Sequence, residues 1–271
     1  MQKIQRSNEL EHELSSILHA RRIHTLYQPL VNLSSGKVMG YEALTRGPSY
    51  SALHSPLKLF SAAEQFKKLD ALERLAQETA IVNAKFDSDE QLLFINFSSQ
   101  LINSSNLVSL DHLELLQRCG FSPSNIVFEI TERSSIEDFE QAKRFLDKYR
   151  KQGYRIAIDD AGIGYSSLHA IAQIHPDYIK IDRSLIQNVH QDVMKKYLLE
   201  AFVTFTQRMN IGLVAEGIEQ EEELALLTSM GVQFAQGYLL ARPHQTPPVI
   251  PSHIVQFIHQ HQKHGQHEMY E

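Results

Sequence analysis

Short apolar stretches rich in β-branched residues recur along the chain, and each reads as a strand. They are "HTLYQPLVNL" (24–33), "KVMGYEAL" (37–44), "QLLFINFS" (91–98), "NIVFEITE" (125–132), "YRIAIDD" (154–160), "DYIKID" (177–182), "GLVAEG" (212–217) and "VQFAQGYLL" (232–240). From the second onward, segments with helical periodicity separate most of them. In "SSIEDFEQAKRFLDKYRKQG", Ser135 can cap a helix, Phe139, Ala142, Leu146 and Tyr149 form an apolar stripe, and Gly153 ends it. "IEQEEELALLTSMG" stops at Gly231 in the same way. Eight strands interleaved with helices predict parallel strands closed into a barrel. The first pair departs from this, because only "SSG" separates the two runs, too little for a crossover, so they form an antiparallel hairpin. The expected fold is α/β, a TIM-like (β/α)8 barrel with its first strand antiparallel to the others.

The flanking segments give the rest of the organisation. Residues 8–20 read as an amphipathic helix, with Asn8 and Glu11 in a capping-box pattern and Leu10, Leu14, Ile17 and Leu18 on one face. It could pack on the barrel or end a linker, so residues 1–22 are set apart from a barrel over 23–262 and a polar, His-rich tail over 263–271. Residues 47–90 are mostly helical and longer than one crossover needs, which suggests a lobe beside the barrel mouth. After "ARPHQTPPVIP" one amphipathic segment, "SHIVQFIHQ", remains.

Bulk properties fit this picture and exclude some functions. A barrel of this kind needs about 250 residues, and the chain has 271, with 42% apolar residues for a large core. The net charge of −6 with mixed signs argues against a nucleic-acid polymer as partner, since such binding rests on surplus Lys and Arg. The single cysteine, Cys119, excludes an internal disulfide and has no His or Cys at ligand spacing; it reads as a small hydrophobe. The polar start "MQKIQRSNELEHEL" is no signal peptide, and no run is long enough to span a bilayer. A soluble, cytoplasmic protein without membrane contact is expected. Five of the 14 histidines fall in the last twenty residues, His253, His259, His261, His264 and His267, and read as a solvated end rather than a metal site. His175 and His190 read as helix or loop surface.

The apolar runs finish in polar residues that a plain core strand would not need. These are Glu42, Asn96, Glu129, the pair Asp159–Asp160, Lys180, Glu216 and Gln236. In a barrel of this type the C-terminal strand ends converge on one face, where active sites are built. Any one of these acids alone could be a solvated carboxylate or an ion-pair partner; the succession of them points to a shared site. Five carboxylates and one amide oxygen are hard ligands, with no Cys or His, and favour Mg²⁺ or Mn²⁺. So many acids exceed one ion's needs, and two ions with a bridging carboxylate fit better. Asp159 and Asp160 are consecutive and cannot both point inward from a regular strand, so the backbone must turn there.

These residues resemble the motifs of the EAL-domain family of cyclic di-GMP phosphodiesterases. The namesake motif stands as "YEALTR" (41–46), with "YQP" at 27–29, "FINFS" at 94–98, "FEITE" at 128–132, "IDDAGIGYSSL" at 158–168, "DYIKID" at 177–182, "VAEGIE" at 214–219 and "QGYLLARP" at 236–243. The resemblance implies a barrel with one reversed strand, and hydrolysis of one phosphodiester of cyclic di-GMP to linear pGpG with Mg²⁺ or Mn²⁺, two ions per site, Ca²⁺ being inhibitory. By motif, Glu42, Asn96, Glu129 and Asp159 would hold the first ion, with Asp159 bridging and Asp160 and Glu216 completing the second. The implied catalytic group is Lys180, Glu42, Asp159, Asp182 and Glu132: Lys180 would hold the attacking water, and Asp182 would support it unless it merely forms an ion pair. Gln28, Leu44, Arg46, Gln236 and Glu219 would contact substrate, and Glu132 and Glu219 would also orient their neighbours. The resemblance also implies a homodimer through the loop after Asp160 and neighbouring helices.

One residue departs from the pattern: Ala161 stands where many members have Phe, in a loop that the resemblance ties to dimer contacts and metal-site assembly. Ser166 and Ser167 read as helix caps rather than nucleophiles, for want of a His–acid pair. Two other functions stay open: a non-catalytic cyclic di-GMP receptor acting on a protein partner, and a two-metal phosphohydrolase for another phosphoester.

Overall fold

The computed structural model describes residues 2–87, 90–98, 112–131, 139–162 and 166–265. Eight strands close a barrel in sequence order: β1 His24–Asn32, β2 Val38–Arg46, β3 Leu92–Phe97, β4 Ile126–Thr131, β5 Arg155–Ala161, β6 Tyr178–Ile181, β7 Gly212–Ala215 and β8 Phe234–Ala235. β1 is antiparallel to β2 and to β8, and every other neighbouring pair is parallel. The hairpin expected from "SSG" is therefore present, and its reversal is confined to β1. Among the described residues the helices longer than one turn are α1 Gln2–His19, α2 Pro56–Gln65, α3 Leu69–Asn83, α4 Leu113–Arg118, α5 Phe139–Gln152, α6 Ser166–Ile174, α7 Val193–Met209, α8 Glu221–Ser229 and α9 Ser252–Gly265. Among the described residues no helix is long and apolar enough to cross a membrane.

Strand alternation divides the apolar residues into two layers. Leu30, Phe94, Val127, Ala157, Tyr178 and Val214 fill the barrel interior. Their neighbours, such as Ile95, Phe128, Ile158 and Ile179, point outward and pack under the helices. Because successive side chains alternate, the residue two places beyond each interior apolar group also faces inward. That rule puts Asn96 above Phe94, Glu129 above Val127, Asp159 above Ala157, Lys180 above Tyr178 and Glu216 above Val214. The packed apolar layer is the floor of the site.

Behind this floor, Phe97, Phe128, Phe145, Tyr149 and Tyr154 form a ring cluster between β3–β4 and α5, with centroids 4.9–6.4 Å apart. Such aromatic pairs add about 0.5–1.5 kcal/mol each beyond burial, and they stiffen the strands that carry Asn96 and Glu129. The stripe of α5 is as expected for Ala142, Leu146 and Tyr149, all buried, and Gly153 ends the helix at φ +100°. Its proposed cap, Ser135, lies outside the described residues.

The described part of residues 47–90, 47–87 and 90, includes the expected lobe. Leu14 and Ile17 of α1 pack with Leu53, Leu59, Ala62, Leu72 and Leu75 of the lobe. The start of α1 needs correction: it begins at Gln2, so Asn8 lies inside the helix and is not its cap. A capping box is a local pattern, and here the helical path continues through it. At the opposite end of the barrel, α9 lies across the β1–β2 turn, where His259 Nε2 meets Ser35 O at 3.1 Å and Gln262 donates to Leu33 O. Two strand expectations also change. Glu42 sits in the middle of β2 rather than at its end, and β8 contracts to two residues.

Candidate active site

Lys180 occupies the centre of the barrel mouth, only 1% exposed. Its Nζ lies 2.6 Å from Glu129 Oε1, 2.6 Å from Glu216 Oε1, 3.2 Å from Asp159 Oδ1 and 3.2 Å from Glu42 Oε2. Residues spread from 42 to 216 in sequence thus converge within one ammonium's reach. Burial alone would discharge this lysine, but Asp159, Glu129, Glu216 and Glu42 hold its pKa well above the ordinary lysine range. The acids show the converse strain. Burial, reinforced by Glu42 and Asp159, pushes Glu129 well above the usual carboxylate range, and Lys180 only partly opposes this. Burial together with Asp159 and Glu42 raises Glu216 likewise. One cation is insufficient for this group of anions.

The paired aspartates are accommodated by a bulge. The β5–β6 register shifts between Ile158 and Ala161, and Asp160 takes the left-handed conformation at φ +59°. A bulge re-aims a side chain that regular alternation would send to the other face. Asp159, Asp160 and Glu216 consequently each offer an oxygen within 4.8 Å of one another. Ala161 itself is fully buried in the outer core layer.

Two amides bind the other side of the cluster. Gln236 Nε2 donates to Glu42 Oε2 at 2.7 Å and to Gln28 Oε1 at 3.1 Å, while Gln28 Nε2 donates to Ala241 O at 3.3 Å. Gln28 faces Glu42 across the antiparallel β1–β2 ladder, so the reversed strand delivers this contact. Asn96 Nδ2 reaches Glu42 Oε1 at 3.5 Å.

Beside the carboxylates a cavity of about 390 Å³ opens between β2, β3 and the lobe, lined by Leu44, Arg46, Leu57, Phe60, Glu73 and Asn96. This volume is within the range of small-ligand sites, roughly 300–1,000 Å³. Glu42, Leu44 and Arg46 share one face of β2, two residues apart, which runs the site from the acids into this cavity. Glu73, on α3, is buried with its Oε2 lacking a hydrogen-bond partner among the described residues. Burial pushes its carboxyl up to about 7, against the pull of bonds from Ser98. The sequence reading missed Glu73. Its signal was a charge on the apolar face of α3, in line with Leu69, Ala76 and Ala80 at helical spacing.

Two expected site residues, Asp182 and Glu219, stand apart from this group. Asp182 was expected two residues beyond Lys180 on the same strand face, as its support or as an ion-pair partner. Instead, the strand stops at Ile181 and the chain turns, so Asp182 accepts Ser184 N at 2.7 Å and caps the helical turn Arg183–Ile186. Glu219 lies on the rim, paired with Arg183 at 2.9 Å. Glu132 lies outside the described residues.

Comparison with known proteins agrees with this architecture. The family model described as EAL domain matches residues 8–243. The cyclic di-GMP phosphodiesterase NbdA of Pseudomonas aeruginosa is 28% identical over 241 residues, covering 87% of this chain and 30% of that protein. The chain spans between 27% and 35% of the length of the first curated relatives it matches. Among solved structures, the MucR phosphodiesterase of Pseudomonas aeruginosa in complex with c-di-GMP superposes with a TM-score of 0.77 at 28% identity, covering 87% of this chain and 97% of that one. BlrP1 of Klebsiella pneumoniae, solved with calcium and cy-diGMP, gives 0.76 at 28% identity, covering 84% of this chain and 58% of that one. With the family's sequence pattern running through both the barrel and the acids at its mouth, this chain belongs to the EAL domain family.

Proposed function

We propose that the chain is a divalent-metal-dependent phosphodiesterase that hydrolyses one phosphodiester of cyclic di-GMP to linear 5'-pGpG. The observation that carries this reading is the cluster of Glu42, Asn96, Glu129, Asp159, Asp160 and Glu216 around Lys180, intact on a chain of the EAL domain family.

The donor set suits Mg²⁺ or Mn²⁺. All its ligand atoms are oxygens, and Glu129 Oε2 is buried with no hydrogen-bond partner among the described residues. An unpaired buried carboxylate oxygen is costly unless a cation takes it. Glu42, Asn96, Glu129 and Asp159 would hold one ion, and Asp159, Asp160 and Glu216 a second. Bound there, such ions supply positive charge that polarises the phosphodiester and makes water a stronger nucleophile near neutral pH. Lys180 orients the attacking water and offsets negative charge growing at phosphorus. Arg46 presents a planar fork to a phosphate. In the cavity, Leu44 and Phe60 offer apolar surface to a base, and the free oxygen of Glu73 is an acceptor for the N–H donors on a guanine edge. Gln236 and Gln28 fix the orientation of Glu42.

The reading includes self-association. On α7, Met194, Tyr197 and Leu198 are exposed apolar side chains, a surface that a second copy would cover. Sedimentation of the parent and of Tyr197→Asp checks this, a monomeric parent counting against it.

The test of the activity is incubation of the purified protein with cyclic di-GMP and Mg²⁺ or Mn²⁺, followed by chromatography. Linear dinucleotide that disappears with a chelator is expected. Tight binding without product in either metal would replace this reading with a receptor.

A further inference from the structure

Glu223 stands in the first turn of α8 and is 1% exposed. Its two oxygens accept three backbone N–H groups: Oε1 from Asn188 at 2.8 Å, and Oε2 from Glu219 at 3.0 Å and Gln220 at 3.1 Å. Among the described residues no Lys or Arg forms an ion pair with it, so these amides and the start of α8 hold its charge. Capping α8 would require only the bonds to its own first turn. The bond to Asn188 joins a different element, the segment that follows β6. Asn188 adopts a left-handed φ of +57° there, and Gln220 Nε2 returns a bond to Asn188 Oδ1 at 3.2 Å. One buried carboxylate therefore ties the rim segment after Lys180's strand to the loop that begins at Glu216.

The near half of that loop has its own anchors. Glu216 N donates to Ile181 O at 3.1 Å, and Ile218 N to Gln236 O at 3.1 Å. Gly217 is left-handed at φ +70°, and a Cβ there would lie 2.5 Å from Arg183 Cγ, so only glycine allows the loop to lie against that side chain. The far half, Glu219 and Gln220, is held by Glu223 and by the half-exposed Arg183–Glu219 pair. We propose that Glu223 is a positioning residue: by fixing the far end of this loop it sets the placement of the Glu216 carboxylate against Asp159 and Asp160. The inference rests on the metal-dependent reading above, and goes beyond it in naming a residue that touches neither ion nor substrate.

The test is Mn²⁺ binding to the full chain without substrate, read from the electron paramagnetic resonance signal of free Mn²⁺. Parent, Glu223→Ala, Glu223→Gln and Leu227→Ala are compared. Leu227 is fully buried in the same helix and away from the loop's hydrogen bonds, so it reports generic loosening. Glu223→Ala should weaken Mn²⁺ binding by about 10- to 100-fold, the usual effect of losing a group that orients a ligand. Glu223→Gln, which keeps one acceptor oxygen and turns the other into a donor, should fall between. Leu227→Ala should keep the parent affinity. Parent-like Mn²⁺ affinity in Glu223→Ala would overturn the proposal, and so would an equal loss in Leu227→Ala. Should Glu223→Ala not fold, parent-like affinity in Glu223→Gln overturns it alone. Failure of the parent to bind Mn²⁺ would instead remove the metal-dependent reading itself.

Discussion

Lys180 and Glu129 meet at 2.6 Å in the centre of the barrel mouth, both almost wholly shielded from solvent. A buried ion pair broken on one side leaves a charge without compensation, at a cost of about 3–5 kcal/mol. Lys180→Met should therefore destabilise the fold on that scale as well as abolish turnover. Added Mn²⁺ should raise the melting temperature of the variant more than that of the parent, since the cation supplies charge the lysine no longer does. Equal melting temperatures for the two proteins in chelator would contradict this.

Glu42 accepts from Gln236 and pairs with Lys180 on the same oxygen. Glu42→Ala should leave circular dichroism and folding largely intact while lowering the rate of pGpG formation by at least about 10³-fold, the scale of losing one strong electrostatic anchor. Turnover equal to the parent's would refute the assignment of the acids as metal ligands.

Arg46 lies along β2 from Glu42 and lines the cavity, outside the carboxylate cluster. Arg46→Ala should raise KM by about tenfold, equivalent to about 1.4 kcal/mol, with a smaller effect on kcat. Arg46→Lys keeps the charge and loses the fork, so it should recover only part of the binding. A fall in kcat with KM unchanged would place Arg46 in the chemical step instead.

Glu73 makes a prediction about stability and pH. Its carboxyl ionises near its ordinary 4.5 in the unfolded chain and at about 7 in the fold. Below the lower value both states carry the proton. Between the two, unfolding releases a proton, so stability falls as pH rises through this window and reaches its full loss above about 7. The difference corresponds to roughly 3 kcal/mol. Glu73→Gln removes this titration, and its denaturation midpoint should vary less than the parent's between pH 4.5 and 7.5. Parallel pH profiles for the two proteins would show that Glu73 ionises normally.

Much of the barrel was legible because strand signals are local. Alternation over a few residues marks "LLFINF" or "RIAID" as strands, and a three-residue gap forces the first hairpin whatever lies elsewhere. Boundaries were less legible. Nothing within "YEALTR" says that pairing to β1 continues to Arg46, so Glu42 read as a strand end. In "QFAQGY" the strand contracts to Phe234–Ala235, since β8 is held by only short ladders on either side. Asp182 misled for the same reason: alternation places it on Lys180's face only if the strand continues, and the chain turns at that residue.

The amino-acid sequence by itself determined the number of strands, the reversed hairpin and the chemical character of the acids, because these depend on neighbours a few residues apart. Only the tertiary structure decided that one ammonium sits among Glu42, Glu129, Asp159 and Glu216, that a bulge turns Asp160 toward them, and that Glu73 reaches the adjoining cavity from α3. Barrel closure and strand stagger set those distances, and both are properties of the closed sheet rather than of any segment within it.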